Sequence, residues 1–371
     1  MGPFEVAAFL PTLRRVSRST DNPWLHRFAV LTALATLGLI GVGGLVTSKG
    51  AGLAVPDWPT SYDYNMFFFP IRLWKGGVFF EHVHRLFASG VGLLTTVLMV
   101  WLWLKESRSW LRWLGVAAFV GVVLQGVLGG LRVIWLKDEL GIFHAALAQS
   151  FLVLVSALAL FTSRWWQHFC ADADRFEIPT TLRRLFLAAA LVIFAQLIIA
   201  ATMRHQHAGL AISDFPLAYG KLWPDTSATA IAHYNQQRVE VEAANPITAL
   251  QVNLQMIHRL VAFTILGLVA FAAGSAWKRL GGRHPAAKLT FLWAGLIIIQ
   301  VGLGAWTIWS NKAADITTLH VVVGASSLVV GSLLTVVAFC GAKVSSEKRI
   351  APRPELEIGE AFSARAATVL K

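Results

Sequence analysis

Charge is scarce in this sequence. Asp, Glu, Lys and Arg make up 14% of its 371 residues, about half the share usual in a soluble domain. Hydrophobic residues fill 56% of the chain, and the mean hydropathy is +0.60. A water-soluble fold of this size cannot hide that much apolar surface, and a disordered chain would be rich in charge rather than poor in it. Both classes are excluded, whereas a chain solvated by lipid meets no such limit. Cysteine is also nearly missing: Cys170 and Cys340 are too few for a disulfide framework or a Cys-based zinc site. Tryptophan, in contrast, is plentiful. Its fifteen residues suit a membrane–water interface.

A bilayer core of about 30 Å needs roughly 20 apolar residues in helix. Eight stretches qualify, at about 28–46, 86–104, 114–131, 142–161, 185–203, 257–276, 289–309 and 321–339. The first 27 residues are polar, broken by Pro3, Pro11 and Pro23, and do not resemble a cleaved signal peptide. With the N-terminus placed inside, the inner segments hold 21 of the 32 Lys and Arg while acidic residues divide evenly, so the inner side is +11 and the outer side +1. This is the positive-inside pattern, with both termini cytoplasmic. The net charge of +12 is thereby a topology signal, and nucleic acid is not an expected partner.

Two outer segments nearly repeat. Residues 51–59 read AGLAVPDWP and residues 208–216 read AGLAISDFP, at an offset of 157. EHVHRLFASG at 81–90 parallels QMIHRLVAFT at 255–264, QGVLGG at 125–130 parallels QVGLGA at 300–305, and His144 parallels His320. Four spans per repeat is an even number, so the units share one orientation. The expected fold is all-α and polytopic: eight transmembrane helices as two tandem four-helix bundles, related by a pseudo-two-fold axis along the membrane normal. The expected division is a cytoplasmic segment 1–27, an N-terminal bundle 28–162, a cytoplasmic linker 163–184, a C-terminal bundle 185–340 and a loosely ordered cytoplasmic tail 341–371. Gln125 and Gln300 are read as interhelical hydrogen-bond formers.

Every even-numbered span starts on the outer side, and His84, His144, His258 and His320 each lie within a turn or two of such a start. All four should share one depth near the outer face. Each unit contributes one His from its second helix and one from its fourth, which can face each other across a bundle. Two opposed imidazoles in an apolar bundle are what a six-coordinate haem iron requires. Histidines that merely join helices, or that bind another metal, are the alternatives; zinc or copper would want more ligands than either bundle offers. The remaining histidines, His82, His205, His207, His233, His26, His168 and His284, are read as solvated or interfacial.

Arg85 and Arg259 follow the first ligand candidate of each unit. They could meet haem propionates, or anchor at the interface and pair with Asp57 or Asp214. The units differ at one place: Glu81 precedes His84 by three residues, and its counterpart is Gln255, which cannot ionise. A carboxyl beside an iron site can move protons during oxygen chemistry; the alternative is that Glu81 pairs with Arg85. The segments 51–59 and 208–216 are expected to form lids over the two mouths, with Trp58 and Phe215 as aromatics suited to a porphyrin face or to interfacial anchoring. The aromatic segment 60–80 is expected to dip into the interface.

Together, Glu81-x-x-His84-Arg85, His258-Arg259, His144, His320 and the duplicated AGLA-x-x-D segments resemble the haem A synthase family over about residues 25–340. The resemblance implies an enzyme, an oxidoreductase that converts a methyl group of haem O to a formyl group by successive hydroxylations, giving haem A for cytochrome c oxidase. It implies haem b held by His258 and His320, the haem substrate held by His84 and His144, and a catalytic Glu81. It further implies a bacterial cytoplasmic (or mitochondrial inner) membrane location, lipid as solvent, and haem O synthase and cytochrome c oxidase assembly factors as partners. A homo-oligomer is compatible with this reading, and the sequence names no electron donor. Some members carry a cysteine pair in the first outer loop; none lies between residues 47 and 83 here, so the chain resembles the cysteine-free branch. The competing reading is a di-haem membrane cytochrome that passes electrons, for example from quinol, and a transporter or haem-handling chaperone is a third.

Overall fold

The computed structural model describes residues 22–171, 178–237 and 246–350, with side chains described only to Cys340 at the C-terminal end. Within them lie ten α-helices: α1 Pro23–Ser48, α2 Gly76–Lys105, α3 Ser109–Trp135, α4 Asp138–Thr162, α5 Arg164–Ala171, α6 Thr180–His205, α7 Ala228–Gln236, α8 Ala249–Leu280, α9 Pro285–Trp309 and α10 Ala314–Ile350. All but α5 and α7 are long and apolar enough to cross a membrane, and no strand forms among the described residues beyond two isolated bridges. The chain is a multi-pass, all-helical membrane protein.

The helices run further than the apolar stretches do. α2 starts at Gly76 and α8 at Ala249, because the polar turns bearing Glu81, Arg85, Gln255 and Arg259 are buried against the outer segments and stay helical. α8 has its own start signal. Thr248 accepts from the Gln251 N–H while the Gln251 side chain accepts from the Thr248 N–H, a capping box. At the other end of the chain, residues 341–350 continue α10 as helix where the sequence suggested a loose tail. Residues 1–21, 172–177 and 351–371, parts of the expected cytoplasmic segment, linker and tail, lie outside the described residues.

Helix contacts form two closed rings, α1–α2–α3–α4 and α6–α8–α9–α10. The rings meet where α1 touches α10, α4 touches α6, and α4 touches α10. The repeat equates α1 with α6 and α4 with α10. The first two contacts therefore exchange under the repeat and the third maps onto itself, a pattern consistent with a pseudo-two-fold axis between α4 and α10. α4 is the most enclosed span, with 56% of its apolar window buried.

Each ring packs tightly at the end away from the outer segments. Leu98, Leu102, Leu111, Val155 and Leu158 lead the first apolar cluster; Phe186, Val269, Ala276, Trp293 and Leu334 lead the second. Trp293 is fully buried and packs against Gly331 on α10, where a Cβ would collide with the indole. We expect Gly331→Ala to lower stability by about 1–3 kcal/mol through overpacking. A thermal midpoint in detergent equal to that of the parent chain would contradict this account of the α9–α10 contact.

Candidate haem sites and their lids

The four candidate ligands sit at the end of each ring that carries the outer segments, the lid end. His84 of α2 and His144 of α4 are within electrostatic reach of each other, as are His258 of α8 and His320 of α10. All four are enclosed by protein on nearly every side yet keep accessible surface, as side chains lining an internal space do. Glycines make room for them: a Cβ on Gly43 would stand 3.1 Å from His84 Nε2, on Gly129 3.3 Å from His144 Cε1, and on Gly304 3.2 Å from His320 Cε1.

Glutamines position the ligands from neighbouring helices. Gln125 Nε2 donates to the His144 carbonyl (3.1 Å), Gln196 Nε2 donates to the His258 carbonyl (2.8 Å), and Gln300 Nε2 lies 3.4 Å from His320 Nε2. Gln125 and Gln300 thus join helices, as expected. Eleven buried side-chain nitrogens and oxygens among the described residues have no partner; six belong to His144, His258, His320, Gln125, Gln196 and Gln300. Such atoms each cost about 1–3 kcal/mol when left unsatisfied, so their concentration around the two histidine pairs marks the places where a ligand belongs. Among the described residues no three His, Cys, Asp or Glu converge as a metal cage. Each site instead offers two imidazoles and a surrounding space, a donor set that fits the axial positions of a macrocycle-bound iron.

The outer segments fold alike at the level of single hydrogen bonds. Asp57 accepts from the N–H groups of Tyr62 (2.7 Å) and Asp63 (3.0 Å), and Asp214 accepts from those of Tyr219 (2.7 Å) and Gly220 (3.0 Å). The Tyr62 hydroxyl donates to the Ala54 carbonyl, and the Tyr219 hydroxyl to that of Ala211. Bridges pair Ser61 with Tyr64 and Ala218 with Lys221. Every one of these equivalences holds the offset of 157 found in the sequence.

Each lid is latched to the helix that carries the first ligand of its unit. Arg85 Nη1 donates to the carbonyls of Asp57 (2.7 Å) and Thr60 (2.9 Å), and Nη2 to the carbonyl of Val55 (2.9 Å) and to Glu81 Oε1 (2.8 Å). Arg259 donates in the same way to the carbonyls of Leu217 (2.9 Å) and Asp214 (2.7 Å). The Val55 N–H donates to Glu81 Oε2 (2.9 Å); the Ile212 N–H donates to Gln255 Oε1 (2.7 Å), and Gln255 Nε2 returns a bond to the Ile212 carbonyl (3.2 Å). Both arginines thus bind main-chain carbonyls rather than the Asp57 and Asp214 carboxylates. Glu81 does pair with Arg85, and one carboxyl oxygen also holds the lid. Trp58 lies on Gly130 of α3, and Phe215 packs edge-on to Trp309 of α9, so both lid aromatics seat the lid on the third span of their unit.

Two histidines read as solvated or interfacial are neither. His82 is fully buried between Phe69 and Trp74, with its Nδ1 3.3 Å from the Ser61 hydroxyl. It is packed by the aromatic segment whose other residues Phe67, Phe68 and Ile71 are strongly exposed. His205 of α6 reaches across to the first ring, seated on Gly141 of α4 with Nδ1 3.9 Å from Asp138. Sequence reasoning also passed over two arginines. Arg132 of α3 lies within electrostatic reach of both His84 and His144. Arg204 of α6 donates to the Gly44 carbonyl and the Ser48 hydroxyl of α1, each at 2.5 Å. The repeat held the signal for both, since their counterparts are Thr307 and Thr47.

A match to the family model described as cytochrome oxidase assembly protein, COX15-CtaA, covers residues 26–333. The chain belongs to the COX15-CtaA family. Similar proteins within it are the heme A synthases of Rhizorhabdus wittichii, 25% identical over 80% of this chain and 88% of the relative, and of Shewanella oneidensis, 25% identical over 88% of this chain and 99% of the relative. That of a Caulobacter species is 26% identical over 80% of this chain and 90% of the relative. The matched region spans all eight apolar helices, save the first residues of α1 and the end of α10.

The Asp57 turn makes a pH prediction. Burial alone would raise its carboxyl, but the Thr60 hydroxyl and the backbone N–H groups of Asp63 and Tyr62 outweigh it and hold the group below the usual carboxylate range. A depressed carboxyl stabilises the folded turn above its unfolded value of about 3.9 and loses that contribution as pH falls through the folded value. Exchange protection of the Tyr62 and Asp63 amides, corrected for the intrinsic rate, should be constant from neutral pH down to about pH 4 and fall below it. Protection that declined between pH 7 and 5 would contradict this.

Proposed function

We propose that the chain is a haem A synthase that oxidises a methyl group of haem O to a formyl group by successive hydroxylations. The observation that carries this reading is the pair of enclosed imidazoles within electrostatic reach of each other at the lid end of each ring, with unpartnered polar atoms around them. The heme A synthases among its relatives support it. In this reading the bundle of residues 28–162 takes the haem substrate between His84 and His144. The bundle of residues 185–340 holds a resident haem b between His258 and His320. The lid ends face outward across a bacterial cytoplasmic (or mitochondrial inner) membrane, with both termini on the cytoplasmic or matrix side. Haem O synthase would supply the substrate, and assembly of cytochrome c oxidase would consume the product.

Bound haem supplies a redox-active iron at each site and, at the first, the methyl group to be oxidised. The protein supplies position, exclusion of water and a proton-bearing group. The lids close each mouth with buried backbone, Val55 in one and Ile212 in the other, and Arg85 and Arg259 hold them shut. Glu81 is the one ionisable side chain in the latch that has no acidic counterpart in the second unit. Its Oε1 accepts from Arg85 and its Oε2 from the Val55 N–H, which fixes the carboxyl one helical turn from His84, where a proton-exchanging group of the first site would stand. The second reading is a di-haem cytochrome that only passes electrons. The near-identity of the two lids favours it, and the Glu81/Gln255 difference favours the enzyme.

Two sets of variants test the assignment. Glu81→Gln keeps an acceptor for the Val55 N–H, as Gln255 does for Ile212, and should abolish haem A formation while haem binding persists. A normal yield of haem A from this variant would remove the catalytic role of Glu81. His258→Ala and His320→Ala should each eliminate the resident low-spin b-type spectrum; a parental spectrum in both would refute those ligands.

A further inference from the structure

Arg85 has little left to offer a ligand. Both Nη1 donors and both Nη2 donors are engaged by three lid carbonyls and Glu81, leaving only its Nε–H. The macrocycle proposed for the first site carries carboxylates, and a carboxylate at a half-enclosed mouth requires a cation with free donors. Arg132 in the last turn of α3 meets that need. Its guanidinium is half-buried and makes no hydrogen bond or ion pair among the described residues. Of the two carboxylates that act on it, Glu81 is taken by Arg85 and the Val55 N–H, and Asp138 is more than half exposed and makes no ion pair with it.

Its position is as telling as its freedom. Arg132 lies within electrostatic reach of His84 and His144, the two candidate ligands of the first site. It also stands directly against the lid: a Cβ on Gly52 would lie 3.0 Å from Arg132 Nη1, so the glycine at this lid position leaves space for the guanidinium. The second lid repeats the device with a different residue. Gly209, the counterpart of Gly52, stands against Lys312, where a Cβ would lie 3.4 Å from Lys312 Cδ. A basic side chain therefore stands beside the lid glycine in both units, through its guanidinium in the first and its aliphatic stem in the second, although Arg132 itself is replaced by Thr307 at its own repeat position.

We infer that Arg132 is the anion anchor of the first site, binding a carboxylate of the haem substrate beneath the Gly52 lid and so fixing how the macrocycle is turned between His84 and His144. This rests on the proposed function of that site. A fork of free donors suits a carboxylate better than the point charge of a lysine, and a fixed orientation decides which edge of the ring faces Glu81. Arg132 is a binding and positioning residue in this account.

The test uses the full chain carrying its resident haem. Iron protoporphyrin IX and its dimethyl ester, which lacks the two negative charges, are titrated separately and binding is followed by the low-spin absorbance change. The parent chain should bind the diacid at least about tenfold more tightly than the ester, the scale of one charge-assisted hydrogen bond. Arg132→Gln should bind both at the ester's affinity, and Arg132→Lys should recover part of the preference. An unaltered resident-haem spectrum in each variant reports that the fold is kept. An Arg132→Gln variant that still prefers the diacid as the parent does would overturn the anchor. Loss of the added-haem signal in His84→Ala ties the titration to the first site; a signal that survives in His84→Ala would instead refute the site beneath the proposal, and the two failures are told apart by which variant deviates.

Discussion

A buried main-chain carbonyl has to find a donor inside the protein, and the two lids bury irregular backbone where no helix or sheet can supply one. Arg85 and Arg259 solve this by feeding several lid carbonyls from one guanidinium each, while Glu81 and Gln255 accept the N–H that the same backbone leaves over. The rest of the lid end follows from that latch. Because the latch residues and the first ligand of each unit share one helical turn, whatever fixes the lid also fixes His84 or His258. The same hydrogen bonds therefore set the position of lid and ligand relative to each other in both units.

Duplication gave both halves this scaffold, so the functional argument lies in where they depart from it. The acceptor at the latch is a carboxylate in one unit and an amide in the other, with the same backbone N–H held by both. The basic side chain beside the lid glycine is Arg132 on α3 in one and Lys312 after α9 in the other. Arg204 and His205 belong to α6 alone and cross to the first ring, to α1 and to α4. Each departure places a charged or titratable group at the first mouth or at the seam between rings. That asymmetry is what one reactive site and one electron-supplying site would need.

Much of the architecture was legible in the sequence because lipid makes hydropathy a strong signal. Eight apolar stretches became eight helices, and the six identities between AGLAVPDWP and AGLAISDFP carried through to matched hydrogen bonds. The helix starts were not legible: polar turns such as Glu81–Arg85 look like interface until the lid that satisfies them is in place. The two short helices were missed for a similar reason. α5 lies in the segment read as a cytoplasmic linker, although Trp166 and Phe169 bury against the first ring. α7 occupies the insertion that lengthens the repeat offset between the second lid and α8. His82 and His205 were misjudged because sequence gives depth along a helix but not what packs against it. Their partners lie outside their own helix, Phe69 and Trp74 in the aromatic segment before α2 in one case and Gly141 and Asp138 of the other ring in the second.

The central claim, that the two histidine pairs hold haem and that the first converts it, reduces to the chemical identity of what the protein carries. The direct measurement is to purify the chain from cells that make haem O, extract its haems and determine their masses. Haem B together with haem A or its hydroxylated precursor is the predicted result. Haem B alone, at two equivalents per chain, would contradict an enzyme and leave a di-haem electron carrier.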